Sequence, residues 1–214
     1  MYTTPSIVFG FHGCDQSVAD KILKEGQPLI PSAKSYDWLG HGIYFWEGSE
    51  ARAMEWAKSK KVEKPAVVGA IIRLGNCLDL LDDKSIKHLS SAYNLLMEDF
   101  KSRGEPLPVN SVIKNDVSFR RDLDCTVVEF LHDHTRQEII KDLKNCGNKH
   151  PSEKDVHTHP AFFDSVRGMF AEGPPLYSDA GFRAANHIQL CVVNPNCILG
   201  YFAPRKPDSK FKSF

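Results

Sequence analysis

Short apolar runs alternate with polar, helix-period segments through the first third of the chain. Ile7-Val8-Phe9-Gly10-Phe11-His12 is too brief and too rich in β-branched and aromatic residues for a helix, and it predicts a strand. In SVADKILKEG, Asp15 or Ser17 can cap, Val18, Ile22 and Leu23 share a face, and Gly26 stops the turn, which predicts a helix. A polar loop, SAKSYDWLGHG, then leads through Gly40 and Gly42 into Ile43-Tyr44-Phe45-Trp46, a second strand. GSEARAMEWAKSKK reads as a helix capped by Ser49, with Ala53, Trp56 and Ala57 on one face. Residues 66–74 (AVVGAIIRL) are apolar without alternation, the pattern of a strand covered on both faces.

From Asp79 to His159 the period changes to that of helices. SIKHLSSAYNLLMEDFKSRG and DLDCTVVEFLHDHTRQEIIKDL flank the Pro-containing EPLPVN loop. β-like runs return in AFFDSVRGMF, HIQLCVVNP and ILGYF. Strands on both sides of a helical block predict an α+β domain over residues 1–203, with 79–159 as a helical insertion or layer and 204–214 as a basic tail.

Composition narrows the classes. The 214 residues carry 27 Lys+Arg against 27 Asp+Glu, a zero net charge that argues against a surface wholly given to nucleic acid or anionic membrane. No apolar run approaches the eighteen or so residues of a membrane helix, and MYTTPSIVFGFHG lacks the layout of a signal peptide, so no membrane partner and a cytoplasmic location are expected. Six scattered cysteines without a C-x-x-C pair fit neither a zinc knuckle nor a disulfide scaffold. His132 and His134, like His157 and His159, stand two apart, which does not bring them to one helix face, and no metal site is expected. P-loop, Rossmann and G-x-S-x-G patterns are absent.

Three motifs are the candidates for chemistry. His12-Gly13 closes the first strand; Gly40-His41-Gly42-Ile43-Tyr44-Phe45-Trp46 opens the second; Gln189 interrupts the apolar strand His187-Ile188-Gln189-Leu190-Cys191. Each alone has an ordinary structural reading: a hydrogen-bonded histidine, a core tyrosine with its hydroxyl tied off, and a solvated glutamine. Together, with Ile-x-Gly-Tyr-Phe behind the last, they resemble the ADP-ribosyltransferase superfamily in its diphtheria-toxin-like and poly(ADP-ribose) polymerase-like branch. The resemblance covers about residues 7–75 and 160–203, the later part being similar to a bacterial group of that superfamily; the helical middle has no counterpart in it.

The resemblance implies a split β sheet around an NAD cleft, with NAD as co-substrate and a His, Tyr, Glu triad that falls here on His12, Tyr44 and Gln189. It places His12 at a ribose hydroxyl, the Gly13 backbone at the nicotinamide carboxamide, Tyr44 on the nicotinamide ring, and Gly42 and Trp56 on the cofactor side. Cofactor phosphates need cations, and Arg167 and Arg183, near glycines in the flanking segments, are either pyrophosphate ligands or ordinary surface arginines; His41 is a candidate for the acceptor side, and Asn186 and His187 either touch the acceptor or shape the turn. Gln189 departs from the pattern: it keeps a hydrogen bond but brings neither charge nor basicity. Single transfer of ADP-ribose is therefore expected rather than polymer elongation, with Asp164, Glu172 or Glu47 as carboxylates that can enter. The implied acceptor is an intracellular macromolecule, RNA ahead of protein, and the implied setting a toxin–antitoxin or anti-phage system with an antitoxin partner that the helices from Ser85 to Leu143 can contact. The alternatives are an NAD glycohydrolase, an RNA 2′-phosphotransferase, or a binding module for NAD or ADP-ribose that has lost catalysis.

Overall fold

A computed structural model describes residues 3–113, 118–206 and 208–211. Its centre is a mixed seven-stranded sheet, and the architecture is α+β. The strands are β1 (Ile7–Asp15), β2 (Ile43–Glu47), β3 (Pro65–Arg73), β4 (Cys77–Asp79), β7 (Ser165–Phe170), β8 (His187–Val192) and β9 (Ile198–Phe202), in the order β4-β7-β8-β2-β1-β3-β9. All neighbours are antiparallel except the parallel pair β4 and β7.

Local signals explain the first elements. Helix α1 (Gln16–Glu25) starts where the Asp15 carboxylate accepts from the Ser17 amide, and it stops at Gly26, which sits in the left-handed region at φ 70°. Helix α2 (Glu50–Ser59) is capped by Ser49, whose hydroxyl accepts from the Arg52 amide. It seats Ala53 and Ala57, both fully buried, on β1 and β3. Gly13 makes that approach possible, because an added Cβ would lie 2.1 Å from the Ala53 carbonyl oxygen. As expected from its unbroken apolarity, β3 lies inside the sheet, between β1 and β9.

The join between β1 and β2 is short: the register pairs are Gly10 with Glu47 and Phe11 with Trp46, and none follows. Toward its C-terminal end β1 keeps β3 as its partner through Asp15, while β2 continues with β8 from Trp46 back to Ile43. The sheet is thus two halves that share a seam at one end and part at the other. The half containing β1, β3 and β9 buries Val8, Val68, Ala70 and Ile72 under Ala19 and Ile22 of α1.

The helical region differs from expectation at its start and in its middle. Asp79 belongs to β4, at the edge of the main sheet, and residues 111–113 and 118–120 form a two-stranded pair, β5 and β6. Three-residue strands carry too little periodicity to be read against a helical background. Helices α3 (Asp83–Arg103) and α4 (Asp122–Asn145) are a layer on the other half-sheet: Ala92, Val128 and Leu131 share one core with Leu78, Val166 and Cys191. A short α5 (Glu153–His157) is closed by a reciprocal Ser152–Asp155 capping box. Among the described residues, no helix is long and apolar enough to cross a membrane.

Candidate functional site

A cavity of about 550 Å³ opens where β1 and β2 part, and His12, Tyr44 and Gln189 all line it, with Gly42 and Trp56. His12 is the first residue past the seam. Its Nδ1 lies 2.8 Å from the Tyr44 carbonyl oxygen. A carbonyl only accepts, so Nδ1 carries the proton and Nε2 is left as an acceptor. Burial lowers the His12 pKa from 6.5, which keeps the ring neutral at pH 7.

Tyr44 is fixed at both ends. Its hydroxyl donates to Gly40 O at 2.8 Å and accepts from the Leu39 amide at 3.0 Å, and desolvation raises its pKa so that the phenol stays protonated. The hydroxyl is tied off, as in the structural reading, yet the residue still lines the cavity. Gln189 accepts from Trp38 Nε1 at 2.6 Å through Oε1. That bond orients the amide, whose Nε2 is a donor.

Trp56 and neighbours that the sequence did not single out complete the wall. From α2, Arg52, Glu55, Trp56 and Ser59, with Lys60 at its C-cap, line the cavity. This i, i+3, i+4, i+7, i+8 stripe is distinct from the Ala53 and Ala57 stripe that packs on the sheet. Trp56, placed with those alanines by spacing and on the cofactor side by the resemblance, is 38% exposed, lines the cavity, and has its ring centroid 5.6 Å from that of Trp46. A tryptophan within a polar stripe was the legible signal. Trp38 and Phe170, with ring centroids 5.0 Å apart, close the side next to Gln189.

Several expected ligand residues lie elsewhere. Arg167 is off the wall, only 5% exposed, and its guanidinium grips Glu47 through Nε (2.6 Å) and Nη2 (2.8 Å) and Asp79 through Nη1 (3.2 Å). A cation held this way is an internal counter-ion joining β7, β2 and β4, which corrects its assignment to phosphate. Arg183 sits in the exposed 171–186 loop, outside the lining residues. Gly13 is also off the wall; its missing Cβ serves α2. Gly42 does line the cavity, but its amide and carbonyl are both bonded to Ser32, and a Cβ there would meet Cys191 Sγ at 2.6 Å. His41 turns to Glu129 (3.0 Å), Asn186 is exposed off the wall, and His187 packs between Trp46 and Phe170. Of the three carboxylate candidates, Asp164 secures Asn76 and Asn194, Glu47 pairs with Arg167, and Glu172 lines the cavity in an ion pair with Arg52.

Two other constellations fail on environment. Cys125 Sγ lies 3.9 Å from His41 Nε2 with Glu129 behind the ring, an outline of a Cys–His–acid set. The thiol is 3% exposed, and desolvation and Glu129 push its pKa up to about 12, which is the opposite of an activated nucleophile. Among the described residues, no group of three or more His, Cys, Asp or Glu is placed to hold a metal ion.

Burial lowers the pKa of His12, His132 and His187 below 6.5. The unfolded chain then binds protons first, so this contribution to stability is complete above pH 6.5 and is lost as pH falls below it. The melting temperature is expected to drop between pH 7.5 and 5.5, and less steeply in His132→Phe, whose Nε2 is buried without a partner among the described residues. A flat melting temperature across that window would exclude the effect.

No family model matches the chain, and no solved structure matches it. Among curated proteins, an uncharacterized protein of Methanocaldococcus jannaschii is 44% identical over 46 residues, which are 22% of this chain and 21% of that protein. The match thus spans about a fifth of that relative's length.

Proposed function

We propose that this protein is an NAD-dependent mono-ADP-ribosyltransferase acting on a macromolecule, with nucleic acid, RNA in particular, ahead of protein. The observation that carries the reading is the convergence of His12, Tyr44 and Gln189, from the adjacent strands β1, β2 and β8, on one cavity. The division of the sheet into β4-β7-β8-β2 and β1-β3-β9 supports an ADP-ribosyltransferase-like fold, and the volume lies in the range of ligand pockets.

The protonation states define each role. Neutral His12 accepts a ribose hydroxyl at Nε2, its ring held by Nδ1–H on the Tyr44 carbonyl. The Tyr44 ring stacks on nicotinamide, worth about 1 kcal/mol beyond burial. Gln189 donates to the ribose from Nε2, oriented by the Trp38 indole. Arg52, on the wall where Arg167 is not, is the cation for the pyrophosphate. Without charge at position 189, elongation is disfavoured and one ADP-ribose is transferred. Tyr177 and Phe182, each 63% exposed on the loop that begins beside Glu172, offer stacking surfaces to unpaired bases.

Biotinylated NAD incubated with the protein and total lysate, followed by parallel nuclease and protease digests, tests this. Label that nuclease removes is the expected result. Protease-sensitive label would move the acceptor to protein. Nicotinamide release without any labelled polymer would replace the transferase with a glycohydrolase, and no NAD binding at all would end the reading.

A further inference from the structure

We infer that Glu172 is the catalytic carboxylate that deprotonates the acceptor, a role Gln189 has no means to perform; this rests on the transferase reading above. Three observations carry it. Glu172 alone of the three carboxylates weighed from sequence lines the cavity, since Glu47 is spent on Arg167 and Asp164 on loop asparagines. It stands immediately after Phe170 and Ala171 at the end of β7, and β7 pairs with β8 so that Gly168 is opposite Gln189 and Phe170 opposite His187. The neighbouring strand therefore carries the carboxylate beyond the Gln189 position, onto the wall of the cavity that Gln189 also lines.

Its present partners are Arg52 and, at 3.8 Å, the Nδ1 of His187. Arg52 is clasped between Glu55 and Glu172, and its Nε is buried with no hydrogen-bond partner among the described residues. A guanidinium fork takes carboxylate and phosphate in the same bidentate geometry, so a bound diphosphate competes with Glu172 for Arg52. Dinucleotide binding at Arg52 then releases Glu172 as the acceptor arrives. In the chemical step the acceptor's lone pair forms a bond to ribose C1′ while the C1′–N1 bond breaks, its electron pair leaving with neutral nicotinamide. The acceptor's proton passes to a Glu172 oxygen and on to solvent, so NAD⁺ and acceptor–H yield ADP-ribosyl acceptor, nicotinamide and H⁺.

The test compares wild type, Glu172→Gln and Glu172→Asp for NAD binding and for label transfer from biotinylated NAD to lysate polymers. Glu172→Gln is expected to bind NAD within about threefold of wild type while transfer falls about a hundredfold or more, the scale of a lost general base. Glu172→Asp is expected to restore part of the rate. Equal transfer by wild type and Glu172→Gln overturns the inference and leaves the transferase intact. Loss of NAD binding in Glu172→Gln also overturns it, by showing that the side chain only shapes the Arg52 subsite. A wild type that neither binds NAD nor transfers label removes the function itself.

Discussion

Arg167→Met is expected to lower the unfolding free energy by about 3–5 kcal/mol, the cost of withdrawing one partner from a buried ionic cluster. The guanidinium lies between the Glu47 carboxylate, which it grips with two nitrogens, and Asp79, whose side chain is 1% exposed. Asp79 also accepts from the Leu81 amide at 3.1 Å, so the cluster ties the β4 turn to the sheet as well. Removing the cation leaves negative charge in a low-dielectric interior, where an apolar methionine of similar reach offers nothing in return. Urea denaturation measures the loss. A variant of wild-type stability with weakened NAD affinity would reverse the assignment and return Arg167 to the phosphate.

The second large effect falls on Tyr44. Tyr44→Ala is expected to weaken NAD binding more than tenfold, which is about 1.4 kcal/mol, and to lower stability by about 3 kcal/mol as the ring's packing is lost. Tyr44→Phe separates the two functions of the side chain. It keeps the ring for stacking but leaves Gly40 O and the Leu39 amide without the hydroxyl that now pairs both. A stability cost of about 1–3 kcal/mol with NAD affinity close to wild type is the expected outcome for Phe. NAD titration by calorimetry and thermal melts on both variants decide it. Wild-type NAD affinity in Tyr44→Ala would remove the cavity from cofactor binding.

How legible the molecule was depends on how local each cause is. The α1 cap at Asp15, the stop at Gly26 and the α2 cap at Ser49 are interactions within three or so residues, and they stand where the residues predict them. The covered strand at 65–73 was readable because burial on both faces removes alternation. β4, with three residues, was absorbed into the helical region because no period shows over so short a run. The face of Trp56 was misjudged for a related reason. Ala53, Trp56 and Ala57 fit one stripe by spacing, and only the contact of Gly13 with Ala53 decides which edge of that stripe is buried.

What the sequence by itself determined are the strands and helices of both ends of the chain and the three residues, His12, Tyr44 and Gln189, whose types and neighbours drew attention to them. Tertiary structure alone decided which cations and carboxylates serve the cavity. Arg167 finds Glu47 at a separation of 120 residues and Asp79 at 88, and Arg52 finds Glu172 at 120. An arginine's chemistry is the same in every segment, so whether it neutralises an interior or faces a ligand follows from desolvation and from the partners that distant strands bring to it. That information exists only once the two halves of the sheet have closed around their seam.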